Sequence, residues 1–69
     1  MTYQVSVFNR GSLHKVHKIE ANSSSNAIDT IEARHYGGKP EVRIFKNKKG
    51  EISQTVRNWH GCCFEARQI

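Results

Sequence analysis

One proline, one aspartate and two cysteines that sit side by side leave this 69-residue chain without the usual marks of a stapled, catalytic or membrane-bound protein. Cys62 and Cys63 are neighbours and cannot tie distant parts of a fold together. No apolar run is long enough for a secretory leader or a membrane span, so a cytoplasmic chain with no membrane partner is expected. That compartment keeps both thiols reduced and excludes a disulfide framework. There is no glycine-rich phosphate loop, no paired-carboxylate motif and no nucleophile flanked by a base and an orienting group. The chain is therefore read as a non-enzyme, with no catalytic residue and no cofactor.

Metal binding is also disfavoured. The candidate ligands are His14, His17, His35, His60, Cys62 and Cys63. Structural zinc sites space their ligands as Cys-x2–4-Cys or His-x3–5-His. "HGCC" crowds them instead, and "HKVH" on a strand sends its rings to opposite faces. His35 closes an apolar helical stripe and reads as a core-edge residue. The cysteines, with Phe64, read as small apolar packing groups.

What is present fits one small domain with a thin core and a shallow surface rather than a deep pocket. The net charge is +5, and it is unevenly spread. Arg10, Lys15 and Lys18 make the first 18 residues basic without an acid, whereas Glu20, Asp29 and Glu32 outweigh Arg34 in the middle. Positive charge returns with Lys39, Arg43, Lys46, Lys48, Lys49 and Arg57 against Glu41 and Glu51. Such a balance favours acidic or phosphate-rich partners.

Periodicity gives the fold. "TYQVSVF" alternates as a half-buried strand, "NRGS" turns the chain, and "LHKVHKIEA" returns as a second strand whose broken parity predicts a bulge. "NSSSNAIDTIEARHYGG" changes period: Ala27, Ile28 and Ile31 form a helical stripe, the serines cap it and the glycine pair ends it, predicting a helix over 24–36. "EVRIF", the loop "KNKKG" and "EISQTVRNW" predict a second hairpin. The expectation is an α+β two-layer sandwich of order β-β-α-β-β, with one helix on a three- or four-stranded, mainly antiparallel sheet. The domain would span 1–59, leaving 60–69 as a packing or interface tail. The expected core is Val5, Val7, Ile19, Ala21, Ala27, Ile28, Ile31, Val42, Ile44, Ile52 and Val56. "KIEANSSSNAIDTIEARHYGG" resembles the strand–cap–helix unit common among small bacterial and phage proteins, a likeness that implies no activity.

If those residues face the helix, pleating places Phe8, Val16, Lys18, Arg43, Phe45, Arg57 and Trp59 on the outer face. Rings interleaved with cations suit a single-stranded nucleic acid, whose bases stack and whose phosphates pair with Lys or Arg. Lys46, Lys48 and Lys49 at a hairpin tip add phosphate contacts. The RNA-recognition motif uses a four-stranded sheet this way, but its glycine-and-aromatic signature is absent here and its element order differs. A small basic nucleic-acid-binding protein is thus the first expectation. The alternative is a protein-interaction or self-associating accessory protein, of the kind phages encode, burying Trp59, Cys62, Cys63 and Phe64 against a protein partner or a second copy.

Overall fold

A computed structural model describes residues 1–32 and 38–69. The elements are β1 (Thr2–Asn9), β2 (Ser12–Glu20), α1 (Ser24–Ile31), β3 (Glu41–Lys46), β4 (Ile52–Trp59) and β5 (Cys62–Gln68). They form one five-stranded sheet of order β2-β1-β5-β4-β3, and every neighbouring pair is antiparallel. The α+β class is as expected, and the helix lies between β2 and β3 in sequence. The strand count is corrected by β5: residues expected to form a tail occupy the centre of the sheet, between β1 and β4.

Two tight turns make this arrangement. Arg10 and Gly11 have φ of 52° and 82°, and His60 and Gly61 have φ of 45° and 102°. Two successive positive φ values are what a two-residue type I′ hairpin requires, and glycine supplies the second without steric cost. Asn9 pairs with Ser12 across the first turn and Trp59 with Cys62 across the second. The turns abut, because the Arg10 N–H donates to the Gly61 carbonyl at 2.8 Å.

The Ser23 side chain caps α1 by accepting from the Asn26 N–H at 3.1 Å, as the serine run predicts. The helix is shorter than its stripe suggested. Glu32 is already extended, with φ −68° and ψ 94°, and its N–H closes the last turn on the Ile28 carbonyl. His35, the expected end of the stripe, lies outside the described residues.

The core forms where α1 meets the middle of the sheet. Tyr3, Val5, Ala27, Ile28, Phe64 and Ala66 are buried, with Val7, Ile19, Ala21, Ile31, Trp59 and Cys62 packed around them. Ser24 and Thr55 are buried as well, and their hydroxyls share a hydrogen bond of 2.5 Å. A helix about 10 Å across cannot cover five strands spaced about 4.8 Å apart. It packs on β5, β4, β1 and β2 and makes no contact with β3. Val42, Ile44 and Ile52, expected in the core, are therefore 49%, 53% and 46% exposed.

A bulge accounts for a further correction. Phe45 pairs with Gln54 but Lys46 pairs with Ile52, so Ser53 is the extra residue, and its hydroxyl donates to the Phe45 carbonyl at 3.2 Å. The bulge reverses parity along β4. Thr55, Arg57 and Trp59 face the helix, and Val56, expected beneath it, faces away. The irregularity expected in β2 is also a bulge: Val7 pairs with Lys15 and Phe8 with Leu13, which leaves His14 as the extra residue.

Candidate interaction surfaces

Register defines the open face of the sheet as three rows. The first runs Lys18, Gln4, Arg67, Gln54, Phe45; the second Val16, Ser6, Glu65, Val56, Arg43; the third Leu13, Phe8, Cys63, Asn58, Glu41. Five of the seven residues expected on this face are there: Phe8, Val16, Lys18, Arg43 and Phe45. Its charge is nearly balanced, since Glu65 and Glu41 offset two of the three cations Lys18, Arg67 and Arg43. Phe8 and Phe45 lie in different rows, on β1 and β3, separated by three strand spacings of about 4.8 Å each. Adjacent stacked bases cannot use both rings.

Arg57 and Trp59 are the two residues displaced. Arg57 Nη1 donates to Asp29 Oδ1 at 2.7 Å and to Glu32 Oε2 at 3.2 Å, while Nη2 donates to Ser25 Oγ at 3.3 Å. Trp59 Nε1 donates to the same Glu32 oxygen at 2.8 Å. The Arg57 side chain is 14% exposed and that of Glu32 is 18% exposed, so the cluster pins the end of α1 to β4. Burial alone would lower the Arg57 pKa, but hydrogen bonds and Coulomb attraction from Asp29 and Glu32 outweigh it and raise the value. A guanidinium held this way is a structural cation. The sequence offered one signal for it, two acids three residues apart, one in α1 and one at its C-terminal end.

The expected interface at Cys62, Cys63 and Phe64 is dispersed by the same strand geometry. Phe64 is 2% exposed, inside the core, and Cys62 packs against that core. Cys63 lies on the open face, and burial, helped by Glu65 and Cys62, pushes its thiol above the ordinary value, which weakens it as a nucleophile. Among the described residues, no three His, Cys, Asp or Glu side chains gather into a site that could hold a metal ion. No helix among them is long and apolar enough to cross a membrane.

The basic tips lie at opposite ends of the sheet. Arg10 sits beside the β4–β5 turn, whereas the β3–β4 loop lies at the far end of β4. That loop is well tied: Asn47 Oδ1 accepts from the Lys49 and Glu51 N–H groups at 2.9 and 3.0 Å, and Gly50, with φ of 81°, closes it. Lys48 and Lys49 project from a defined backbone next to β3.

Edge strand β3 is the feature that sequence reasoning misplaced most. All six of its residues are exposed. Its helix side presents Val42 and Ile44 beside Ile52, next to an open depression of about 500 Å³ lined by Ser23, Ser25, Ile44, Ile52 and Thr55 among others. Only strand order reveals this, because a chain read as four strands has no reason to push Val42 and Ile44 beyond the helix. No protein-family model, curated protein or solved structure matches the chain.

Proposed function

We propose that the protein is a small, non-catalytic binding module that adds an extended segment of a protein partner to its sheet at β3. The observation that supports this reading is an edge strand exposed along its whole length, with apolar side chains continuing on the helix side. An edge strand offers a row of backbone N–H and C=O groups to an incoming strand, which supply affinity, while alternate side chains supply selectivity. Val42, Ile44 and Ile52 give the incoming strand an apolar surface to cover.

Among the expected nucleic-acid contacts, Lys18, Arg43, Phe45, Lys46, Lys48 and Lys49 keep accessible positions. The near-balance of charge on the open face and the loss of Trp59 and Arg57 to the helix cluster favour the protein partner. The test is amide hydrogen exchange across Glu41–Lys46 in the presence of extended peptides with alternating apolar residues, run beside labelled single-stranded DNA and RNA. Selective protection of β3 by a peptide, lost in Ile44→Asp while the melting temperature holds, is the expected result. Binding of the oligonucleotides through Arg43 and Phe45, with no peptide protecting β3, overturns it.

A further inference from the structure

Resting on that reading, we infer that the strand accepted by β3 is acidic: two apolar residues flanking an Asp or Glu, with further acids reaching the β3–β4 loop. The charge around the edge is lopsided. Lys39, Arg43, Lys46, Lys48 and Lys49 lie within or beside β3, against only Glu41 and Glu51. Glu41 and Arg43 answer each other, which leaves Lys39, Lys46, Lys48 and Lys49 against Glu51. Glu41 Oε1 lies 3.7 Å from Arg43 Nη2, on a pair whose side chains are each 70% exposed. Glu51 accepts from Asn47 Nδ2 at 3.4 Å, and its backbone is bound to the same residue.

This excess decides between occupants. A second copy paired edge to edge would bring two such basic segments together, and lysines on an edge are a recognised guard against that pairing. The same charge attracts a strand of opposite sign. Pleating sets the pattern. Val42 and Ile44 face the helix side, so the residues opposite them must be apolar; Arg43 faces the open side between them, so the residue opposite it is an acid. Beyond Ile44 the strand passes Lys46 and the tied loop carrying Lys48 and Lys49. A nucleic acid would satisfy the lysines, but it has no strand backbone for the edge and no alternating apolar groups for Val42, Ile44 and Ile52.

Three synthetic peptides of one length and one apolar pattern test this on the intact protein, with Glu, Gln or Lys opposite Arg43 and at the positions that reach Lys46 and the β3–β4 loop, and an oligothymidylate as a fourth probe. The Glu peptide is expected to protect β3 and to bind about tenfold more tightly than the Gln peptide at about 50 mM salt. That figure corresponds to two or three cross-strand charge pairs of roughly two- to fivefold each. The gap should narrow toward parity at about 1 M salt, where the screening length falls to about 3 Å. Lys46→Glu/Lys48→Glu/Lys49→Glu changes only exposed side chains; it should melt normally and prefer the Lys peptide. Equal binding of the Gln and Glu peptides with β3 protected overturns the acidic partner and leaves edge capture standing. Absence of β3 protection by any peptide overturns both. Protection of β3 by the oligothymidylate in place of the peptide, or by a doubling of mass with no peptide added, overturns the acidic strand in favour of nucleic acid or a second copy.

Discussion

Strand β2 is interrupted by a bulge at His14 and is clasped to β1 at its far end by Met1, whereas β3 lies beyond the helix with all of its residues exposed. The clasp is specific. The Met1 α-amino group lies 3.3 Å from Glu20 Oε2, Thr2 Oγ1 donates to Glu20, and the Ala21 N–H donates to the Met1 carbonyl at 3.0 Å. Ile19 on β2 packs against the core, but Ile44 on β3 is 53% exposed. A bulge is an ordinary means of blunting an edge. One sheet can thus hold a blunted edge and an available one, and the difference comes from where the helix lies and where the extra residues fall. In the β3–β4 pair the extra residue, Ser53, belongs to β4 and not to the edge strand.

Both edges depend on β5 holding the centre of the sheet, and removing that strand has the largest expected effect. Truncation after Trp59 deletes the partner of both β1 and β4 together with Phe64 and Ala66, and the cooperative thermal transition should vanish. A truncated chain that still melts cooperatively would mean that the two hairpins fold without β5.

A milder probe sets a buried ring against the exposed edge. Phe64→Ala should cost about 3–5 kcal/mol, the usual range for emptying a core aromatic site, whereas Ile44→Ala should stay within about 0.5–1 kcal/mol because half its surface is already in water. Chemical denaturation of the two variants gives both numbers. Similar losses would show that β3 is covered.

Between these lies the helix anchor. Arg57→Ala leaves Asp29 and Glu32 without their shared cation, with only the Trp59 indole still donating to Glu32, and a loss of about 1–3 kcal/mol is expected. Amide exchange should quicken at the C-terminal turn of α1 rather than in β2. An unchanged α1 would sever the link between that cluster and the end of the helix.

The smallest effect concerns the β2 clasp. The hydrogen bond from Thr2, with the hydrogen bond and attraction of the Met1 amino group, holds the Glu20 carboxyl below its ordinary value near 4.5. A carboxylate depressed in the folded state contributes stability above its unfolded pKa, and this is lost as pH falls through the folded value. A carboxyl-carbon NMR titration should place the Glu20 midpoint below 4.5, and Thr2→Val should move it upward. No movement would remove Thr2 from the clasp.

Much of the architecture is legible in the sequence. The alternation of β1, the bulge in β2, the serine cap and the β3–β4 loop each follow from local chemistry acting over a few residues. What escapes is set by longer-range facts. "CCFEARQ" alternates Cys62, Phe64 and Ala66 against Cys63, Glu65 and Arg67, and His60–Gly61 repeats the turn logic of Arg10–Gly11. Both signals are present, but the cysteines draw attention toward chemistry. The bulge at Ser53 has no mark of its own, yet one inserted residue moves Arg57 and Trp59 to the other face and with them the most persuasive part of the expected nucleic-acid surface. The end of α1 depends on Glu32 reaching β4, which no local propensity records.

The pairing of β1 with β5 has a consequence for how quickly the molecule reaches its native state. Tyr3 lies opposite Gln68 and Val5 opposite Ala66, so the middle of the sheet joins segments separated by almost the whole described chain. The entropy of closing so long a loop must be met before the contact returns any stability. Each hairpin can form by itself in about 1–10 μs. Their union is the slow event, and folding in the millisecond-to-second range typical of non-local sheets is expected. While the hairpins wait for one another, β1 and β5 are themselves open edges, and the interval in which the chain is most prone to aggregate is set by the strands that end up best protected.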